Sequence, residues 1–91
     1  MVTLTTVPPV TRSDVLAVVS GLAVQLLDLA PEQLSEDAAF VDDLGVDSLA
    51  LIEFAMAVED ALEIALPEEE LATVTSLGAF VDLAARKVAD R

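Results

Sequence analysis

Prolines and one glycine divide this chain into a few long segments, and this division limits the folds that the chain can adopt. Pro8 and Pro9 disfavour a helix near the start, and Pro31 and Pro67 interrupt the chain twice more. Gly45 lies between the last two prolines and can close a loop. The segments between these positions carry Val, Leu and Ala at helical spacing. We therefore predict an all-α fold: a four-helix bundle with three main helices, one short helix and a long first connection.

The first helix is predicted to begin after Thr11 or Ser13, either of which can serve as its N-cap, and to stop at Pro31. One face of this helix carries apolar residues at helical spacing: Val15, Val19, Leu22 and Leu26. Before the helix, residues 1–10 are expected to form a flexible N-terminal tail. This leaves residues 11–91 as a single folded domain, because the chain is too short for two cores.

The connection from Pro31 to Gly45 shows no persistent helical period. Its apolar residues are spaced irregularly among acids, which is typical of an ordered loop held to the core by a few apolar anchors. The expected anchors are Leu34, Phe40, Val41 and Leu44.

Two further helices are predicted near the end of the chain. Pro67 occupies an N-terminal position of a short helix through residues 68–71, whose first turn is acidic. Thr75 or Ser76 caps the last helix. That helix is expected to end with two cations at its negative end: Arg86 and Lys87.

The chain is strongly acidic, with 17 acids, 4 bases, no His and a formal net charge of −13. Sixteen acids and no base lie between Asp14 and Asp82. Such a surface repels nucleic acid and attracts basic protein surfaces, although negative charge also simply keeps a small apolar protein soluble. Without Cys or His the chain lacks a thiolate nucleophile and the commonest general base. Reactive chemistry is therefore expected to come from a prosthetic group.

No apolar run approaches the length of about 20 residues that a membrane span needs. The start of the chain lacks the basic and apolar regions of a secretory signal. We therefore expect a cytoplasmic monomer without a membrane partner.

The second helix, which opens at Asp47-Ser48, is predicted to have two apolar faces. The core face spans an arc of about 100° and comprises Leu51, Phe54, Ala55, Val58 and Leu62. The opposite face carries an apolar ridge of Leu49, Ile52 and Met56. Four carboxylates are expected to rim this ridge: Glu53, Glu59, Asp60 and Glu63. An apolar centre with a charged edge is typical of a docking surface, whereas scattered exposed apolar residues are ordinary.

Ser48 is predicted to present its hydroxyl at the very start of the second helix, after the turn at Gly45. Asp47 can accept hydrogen bonds from the free N–H groups of the first turn. A phosphate attached to Ser48 would lie near the positive end of the helix. An Asp-Ser pair is also a common helix start that needs no function.

Two other readings of this segment fail on the residues themselves. A GDSL-type hydrolase needs Gly directly before Asp-Ser and a catalytic His, but Val46 stands there and the chain has no His. A calcium loop starting at Asp42 would put Leu44 and Val46 at ligand positions. A loop starting one residue later would end on Phe54 instead of Glu.

Residues 40–49, Phe-Val-Asp-Asp-Leu-Gly-Val-Asp-Ser-Leu, resemble the phosphopantetheine-attachment signature of the acyl carrier protein family of discrete, type II carriers. The likeness covers about residues 13–85. It continues through four further stretches: residues 52–53, 56–60, 66–69 and 74–77. The resemblance implies that residues 11–91 form an acyl carrier domain.

The resemblance further implies that Ser48 carries a 4′-phosphopantetheine arm, with Asp47 and Leu49 beside the attachment point. A phosphopantetheinyl transferase with magnesium would move the arm from coenzyme A, and acyl groups would be held as thioesters on the thiol of the arm. The chain itself would then be no enzyme, with neither catalytic residues nor a metal site of its own. The residues that would line the acyl chain are Leu51, Phe54, Val58, Leu66, Leu71 and Val74.

The implied partners are the transferase and the basic surfaces of acyltransferase, ketosynthase and other enzymes of fatty-acid or polyketide biosynthesis. The docking residues would be Leu49, Ile52, Glu53, Met56, Glu59 and Asp60. Ala50 and Ala61 stand where family members often carry acids, which slightly favours a secondary pathway. A peptidyl or aminoacyl carrier, which usually has Gly and often His where Val46 and Asp47 stand, remains an alternative, as does a non-catalytic interaction module.

Overall fold

A computed structural model describes residues 11–90 of the chain, in which four α-helices form the predicted all-α bundle. The three long helices are α1 (Arg12–Leu26), α2 (Ser48–Leu62) and α4 (Leu77–Asp90), and α3 (Glu68–Leu71) is the short one. The predicted tail at residues 1–10 lies outside the described residues. No helix within residues 11–90 is long and apolar enough to cross a bilayer.

Thr11 is the N-cap of α1 and forms a reciprocal capping box with Asp14. The Thr11 hydroxyl oxygen accepts from the Asp14 amide at 3.2 Å, and the Thr11 amide donates to the Asp14 carboxylate at 3.0 Å. These hydrogen bonds hold the pKa of Asp14 below its usual value. Of the two caps that the sequence allowed, the structure therefore selects Thr11.

The end of α1 differs from the prediction in two respects. The helix ends at Leu26, and Asp28 adopts a left-handed conformation (φ 56°) before Pro31 is reached. Pro31 therefore does not stop the helix but opens a 3₁₀ turn, Pro31–Gln33. Leu26 was expected on the buried face but is 53% exposed, as the last residue of α1.

Three phenylalanine rings form the centre of the core. Phe40 comes from the long connection, Phe54 from α2 and Phe80 from α4. Their ring centroids lie 6.4, 5.9 and 5.1 Å apart, within the range in which tilted and edge-to-face pairs attract. Around the rings, α1 packs against both α2 and α4. Every buried side chain of residues 11–90 is apolar, so burial alone accounts for this core.

The long connection is held to the start of α4 by backbone hydrogen bonds. The Leu77 amide donates to the Ala38 carbonyl at 3.0 Å, and the Gly78 amide donates to the Glu36 carbonyl at 2.8 Å. Of the four predicted anchors, Phe40 and Leu44 are buried and Leu34 is half-buried. Val41 was wrongly expected to be an anchor: it is 68% exposed, because the turn that follows Phe40 directs it outward.

Arg12 ties the start of α1 to the long connection and to α4. Its guanidinium donates to the Glu36 carboxylate at 2.6 Å and to the Asp82 carboxylate at 2.7 Å. The hydrogen bonds to Glu36 and Asp82 raise the pKa of Arg12, and the hydrogen bond from Arg12 lowers the pKa of Glu36. All three side chains are solvent-exposed, so this network orients the elements more than it stabilises them.

The last two helices largely follow the sequence prediction. Pro67 is the N-cap of α3, and the Ser76 hydroxyl oxygen accepts from the Ala79 amide at 3.2 Å at the start of α4. The Lys87 ammonium donates to the Glu70 carboxylate at 2.8 Å and so links α4 to α3. The last helix is longer than predicted: it was expected to end at Arg86 and Lys87, but α4 continues to Asp90.

We predict opposite effects for alanine at two helical glycines. A Cβ at Gly78 would lie 2.9 Å from the Glu36 carbonyl oxygen, so Gly78→Ala should push the connection away from α4 and destabilise the fold by about 1–3 kcal/mol. A Cβ at Gly21 meets nothing within 4 Å, so Gly21→Ala should stabilise α1 by about 0.5–1 kcal/mol. Urea unfolding monitored by circular dichroism measures both. Equal effects at the two glycines would contradict the close approach at Gly78.

Candidate functional site

Asp47 and Ser48 form the opening of α2 as the sequence predicts. Asp47 is the N-cap, and its carboxylate accepts a hydrogen bond from the Ala50 amide at 2.8 Å. Ser48 is the first residue of the helix and is solvent-exposed. Among residues 11–90, its hydroxyl has no hydrogen-bond partner. The hydroxyl is therefore reachable from solvent and lies at the positive end of a helix of 15 residues.

A closed turn before α2 fixes the position of this hydroxyl. The Ala39 amide donates to the Asp43 carboxylate at 2.8 Å, and the Asp43 amide donates to the Ala39 carbonyl at 2.9 Å. Gly45 then takes a left-handed conformation (φ 67°), which a residue with a Cβ adopts only with strain. The Val46 amide donates to the Phe40 carbonyl at 2.7 Å, and the Val46 side chain is buried. The chain thus leaves the core two residues before Ser48.

A cavity of about 290 Å³ opens beside Ser48, between α2 and α3. Its polar lining residues are Ser48 and Glu68, and its other walls are apolar. Leu51, Ile52, Leu71 and Ala72 complete the lining. This Ser48 cavity can therefore receive an apolar group that is attached to the hydroxyl at its mouth.

The Ser48 cavity contains only part of the acyl-chain lining expected from the sequence. Leu51 and Leu71 line it, and Leu51 is half-buried instead of fully buried because it faces this space. The four other expected residues are buried in the core and do not line the cavity: Phe54, Val58, Leu66 and Val74. A chain reaching them would have to part α2 from α3.

The exposed side of α2 carries the expected mixture of apolar and acidic residues. We use the term crest for Leu49, Glu53, Met56 and Asp60, which are all exposed. Leu49 is 66% and Met56 58% exposed. Ile52, expected on the same ridge, is half-buried and lines the Ser48 cavity instead.

Glu59 has a structural contact that the sequence did not reveal. Its carboxylate accepts a hydrogen bond from the Leu66 amide at 2.6 Å and so holds the segment that leads into α3. Glu63, the other expected rim residue, caps the end of α2 in a left-handed conformation (φ 56°). This cap uses the Glu63 backbone, so Glu53, Asp60 and Glu63 are the expected rim carboxylates that form no hydrogen bond or ion pair within the described residues.

A second recess, which we call the α1–α2 groove, lies between the end of α1 and the side of α2. It has a volume of about 370 Å³. Its residues are Leu26, Leu27, Ala50, Glu53, Phe54, Met56, Ala57 and Asp60. The sequence analysis did not find this groove, because helical spacing within α2 does not show where the end of α1 lies.

Sequence reasoning also missed other residues that shape the site. Asp43 closes the turn, Val46 anchors it, and Glu68 lines the Ser48 cavity. Ile52 was predicted as a docking residue, but it lines the Ser48 cavity as well. The spacing of Ser48 and Ile52, four residues apart on one helix, was the available signal for a shared face.

The fold and the candidate site together describe a small helical bundle that presents one exposed serine hydroxyl at the start of α2, beside an open cavity. The family model described as "Phosphopantetheine attachment site" matches residues 17–84. The acyl carrier protein of Caulobacter vibrioides is 36% identical over 77 residues, which cover 85% of this chain and 99% of that protein. The acyl carrier protein of Phenylobacterium zucineum is 39% identical over 66 residues, which cover 72% of this chain and 84% of that protein.

The meromycolate extension acyl carrier protein of Mycobacterium tuberculosis is 32% identical over 73 residues, or 80% of this chain. The match spans 64% of the length of that relative. This chain therefore belongs to the acyl carrier protein family, as the sequence resemblance predicted. Its members are phosphopantetheine-dependent carriers and not enzymes, which confirms the predicted cofactor.

We predict that Asp47→Ala destabilises the protein by about 1 kcal/mol, because the Ala50 amide loses its hydrogen-bond acceptor at the start of α2. Asp47→Asn is the matched control, since Asn caps about as well as Asp and should recover most of the loss. Urea unfolding of the three proteins gives the values. If Asp47→Asn lowered the free energy of unfolding as much as Asp47→Ala does, Asp47 would stabilise the protein through its charge and not through capping.

Proposed function

We propose that this protein holds acyl groups as thioesters on a 4′-phosphopantetheine arm at Ser48 and presents them to the enzymes of a fatty-acid or polyketide pathway. The observation that carries the proposal is the exposed Ser48 hydroxyl at the start of α2, beside an apolar cavity. The arm supplies the thiol that the chain lacks.

The surroundings of Ser48 suit attachment of a phosphodiester. In the loading reaction, a bond forms between the Ser48 oxygen and the phosphorus of the pantetheine phosphate, and the pyrophosphate bond of coenzyme A breaks. The other half of coenzyme A leaves as adenosine 3′,5′-bisphosphate with the bridging oxygen, and the hydroxyl proton is lost to a base of the transferase. The negative charge of the product would lie at the helix N-terminus, where partial positive charge favours it. The Asp47 carboxylate beside it is directed to the Ala50 amide, which limits its repulsion of the phosphate.

The Ser48 cavity supports the acyl part of the proposal. Its apolar walls, Leu51, Ile52 and Leu71, begin at the residue that bears the arm. An acyl chain that folds back from the arm would bury apolar surface there, at about 25 cal/mol per Å² removed from water. The deeper residues Phe54, Val58, Leu66 and Val74 would join the lining only for chains long enough to separate α2 from α3.

The crest supports docking to basic partner enzymes. The side chains of Leu49 and Met56 are exposed and can pack against apolar residues of a partner. The exposed carboxylates of Glu53 and Asp60 attract Lys and Arg side chains over long range. The proposed partners are the phosphopantetheinyl transferase first, and then acyltransferase, ketosynthase and related enzymes. The three relatives described above are all acyl carrier proteins, which supports acyl over aminoacyl cargo. We expect the carrier to act as a monomer in the cytoplasm.

Incubation of the apo protein with coenzyme A, magnesium and a promiscuous phosphopantetheinyl transferase should add one phosphopantetheine, measured by intact mass. Ser48→Ala should abolish this addition. Ser13→Ala is the matched control, because Ser13 is another exposed serine in the first turn of a helix and should not affect loading. Loading that persists in the Ser48→Ala protein would refute the site, and a parent protein that binds partners but never accepts the arm would favour an interaction module.

Reversing two crest charges should slow loading by a basic transferase. We expect the Glu53→Lys, Asp60→Lys double variant to lose at least about tenfold in loading rate at low salt, because the electrostatic contribution to the association rate is reduced. The control is Glu32→Lys with Asp37→Lys, which makes the same change in net charge on exposed residues of the long connection. High salt should bring the parent and the crest variant closer together. Equal rates for the two double variants at low salt would exclude a localised docking face.

A further inference from the structure

Lys87 is the only lysine of the chain, and the three other bases are arginines, which stay protonated and do not attack acyl groups. Because the chain has no Cys and no His, Lys87 is also the only side chain that offers an amine, an imidazole or a thiol to an acyl group. We propose that Lys87 is a self-acylation site, at which the thioester cargo of the protein passes onto the chain itself as an amide. This inference rests on the proposed carrier function, which supplies the thioester.

An ion pair holds Lys87 against the short helix α3. The Lys87 ammonium donates to the Glu70 carboxylate at 2.8 Å. The Lys87 side chain keeps 29% of its surface exposed, and the Glu70 side chain keeps 38%. The pair therefore lies at the edge of the bundle and not inside its core, so a tethered group can approach it.

The Ser48 cavity lies on the other side of α3. Glu68, Leu71 and Ala72 line the cavity. At about 100° per residue, Glu70 projects from α3 about half a turn away from the centre of these three positions. The helix therefore separates the cavity from the ion pair, but with four residues it is only about 6 Å long.

A phosphopantetheine arm on Ser48 is long enough to pass around α3. From the serine oxygen to the sulfur, the arm has about as many bonds in line as five residues, so it spans roughly 17 Å when extended. The cavity and the width of one helix, about 10 Å with side chains, lie between Ser48 and the ion pair. The tether also raises the effective concentration of the thioester to about the millimolar range, which favours transfer within one molecule.

The transfer needs no reactant besides the acyl thioester and the amine. The Lys87 ammonium first loses one proton to solvent, and the free amine attacks the carbonyl carbon of the thioester. A C–N bond forms, the C–S bond breaks, and a proton of the nitrogen passes to the departing sulfur. The products are an amide on Lys87 and a free thiol on the arm.

Glu70 restrains this step. While the Lys87 nitrogen donates to the Glu70 carboxylate as an ammonium, it has no lone pair with which to attack. The ion pair also holds the nitrogen on the α4 side of α3, away from the cavity beside Ser48. Removal of the Glu70 charge should therefore speed the transfer.

The test starts from protein that a promiscuous transferase has loaded at Ser48 with butyryl-coenzyme A, with loading checked by intact mass. After incubation at mildly alkaline pH, hydroxylamine removes thioester-bound butyryl groups and leaves amides in place. We expect part of the protein to keep one butyryl mass beyond the arm, which tandem mass spectrometry assigns to Lys87. Transfer within one molecule predicts a rate constant that does not change when the protein is diluted.

Three variants define the roles of the two residues. Lys87→Arg keeps a cation for Glu70 but removes the amine, so it should lose the hydroxylamine-resistant butyryl group. Glu70→Gln should raise the transfer rate about two- to fivefold, as expected for the release of an ion pair at the protein surface. The matched control is Glu69→Gln, which removes the same charge from an exposed neighbour that does not pair with Lys87 and should leave the rate unchanged.

The Ser48→Ala protein, incubated with free butyryl-coenzyme A at the concentration of the loaded protein, measures acylation without the tether. Equal acylation of Lys87 in that sample would overturn the proposal, because the arm would then not deliver the group. A resistant butyryl group that persists in Lys87→Arg, or that maps to the N-terminal peptide, would also overturn it. Failure of loading would refute the carrier function and this inference with it, whereas fully loaded protein without a resistant butyryl group would refute this inference alone.

Discussion

The packing of Phe40 against Phe54 and Phe80 connects the fold of this protein to its candidate site. The three rings join the long connection, α2 and α4 at one point, and all three are almost fully buried. The backbone of Phe40 makes two further contacts: its amide donates to the Thr75 carbonyl, and its carbonyl accepts from the Val46 amide. The ring that completes the core therefore also fixes the turn from which Ser48 emerges.

The second helix then serves three surfaces at once. Its inner face, with Phe54 and Val58, is core, while its two flanks border the Ser48 cavity and the α1–α2 groove. The exposed crest shares Glu53, Met56 and Asp60 with the α1–α2 groove. No base among residues 11–90 forms an ion pair with Glu53 or Asp60. One flank of α2 therefore adjoins the proposed attachment point at Ser48, and the other borders the end of α1.

Local rules in the sequence predicted most of the fold. The Asp47 cap, the opening of α2 at Ser48 and the burial of Phe54 follow from capping preferences and helical spacing, whereas the first cap was narrowed only to Thr11 or Ser13. These rules failed where a neighbouring element decides exposure. Leu26 is exposed at the last residue of α1, and Val41 is exposed in the turn that follows Phe40.

The geometry of the candidate site was also predicted only in part, because helical spacing does not show which residues other segments contact. Spacing within α2 identified the exposed Leu49 and Met56, but it could not show that Ile52 faces α3 or that Glu59 binds the Leu66 amide. Both contacts depend on where the chain returns after α2, which the pattern of a single helix does not contain.

The central claim is that the hydroxyl of Ser48 is the point at which this carrier is loaded in the cell. Tandem mass spectrometry of the protein purified from its own host, after proteolysis, tests this claim most directly. The account predicts peptide fragments in which the phosphopantetheine mass is assigned to Ser48. A fully unmodified Ser48 in protein that carries the arm on another residue would contradict it.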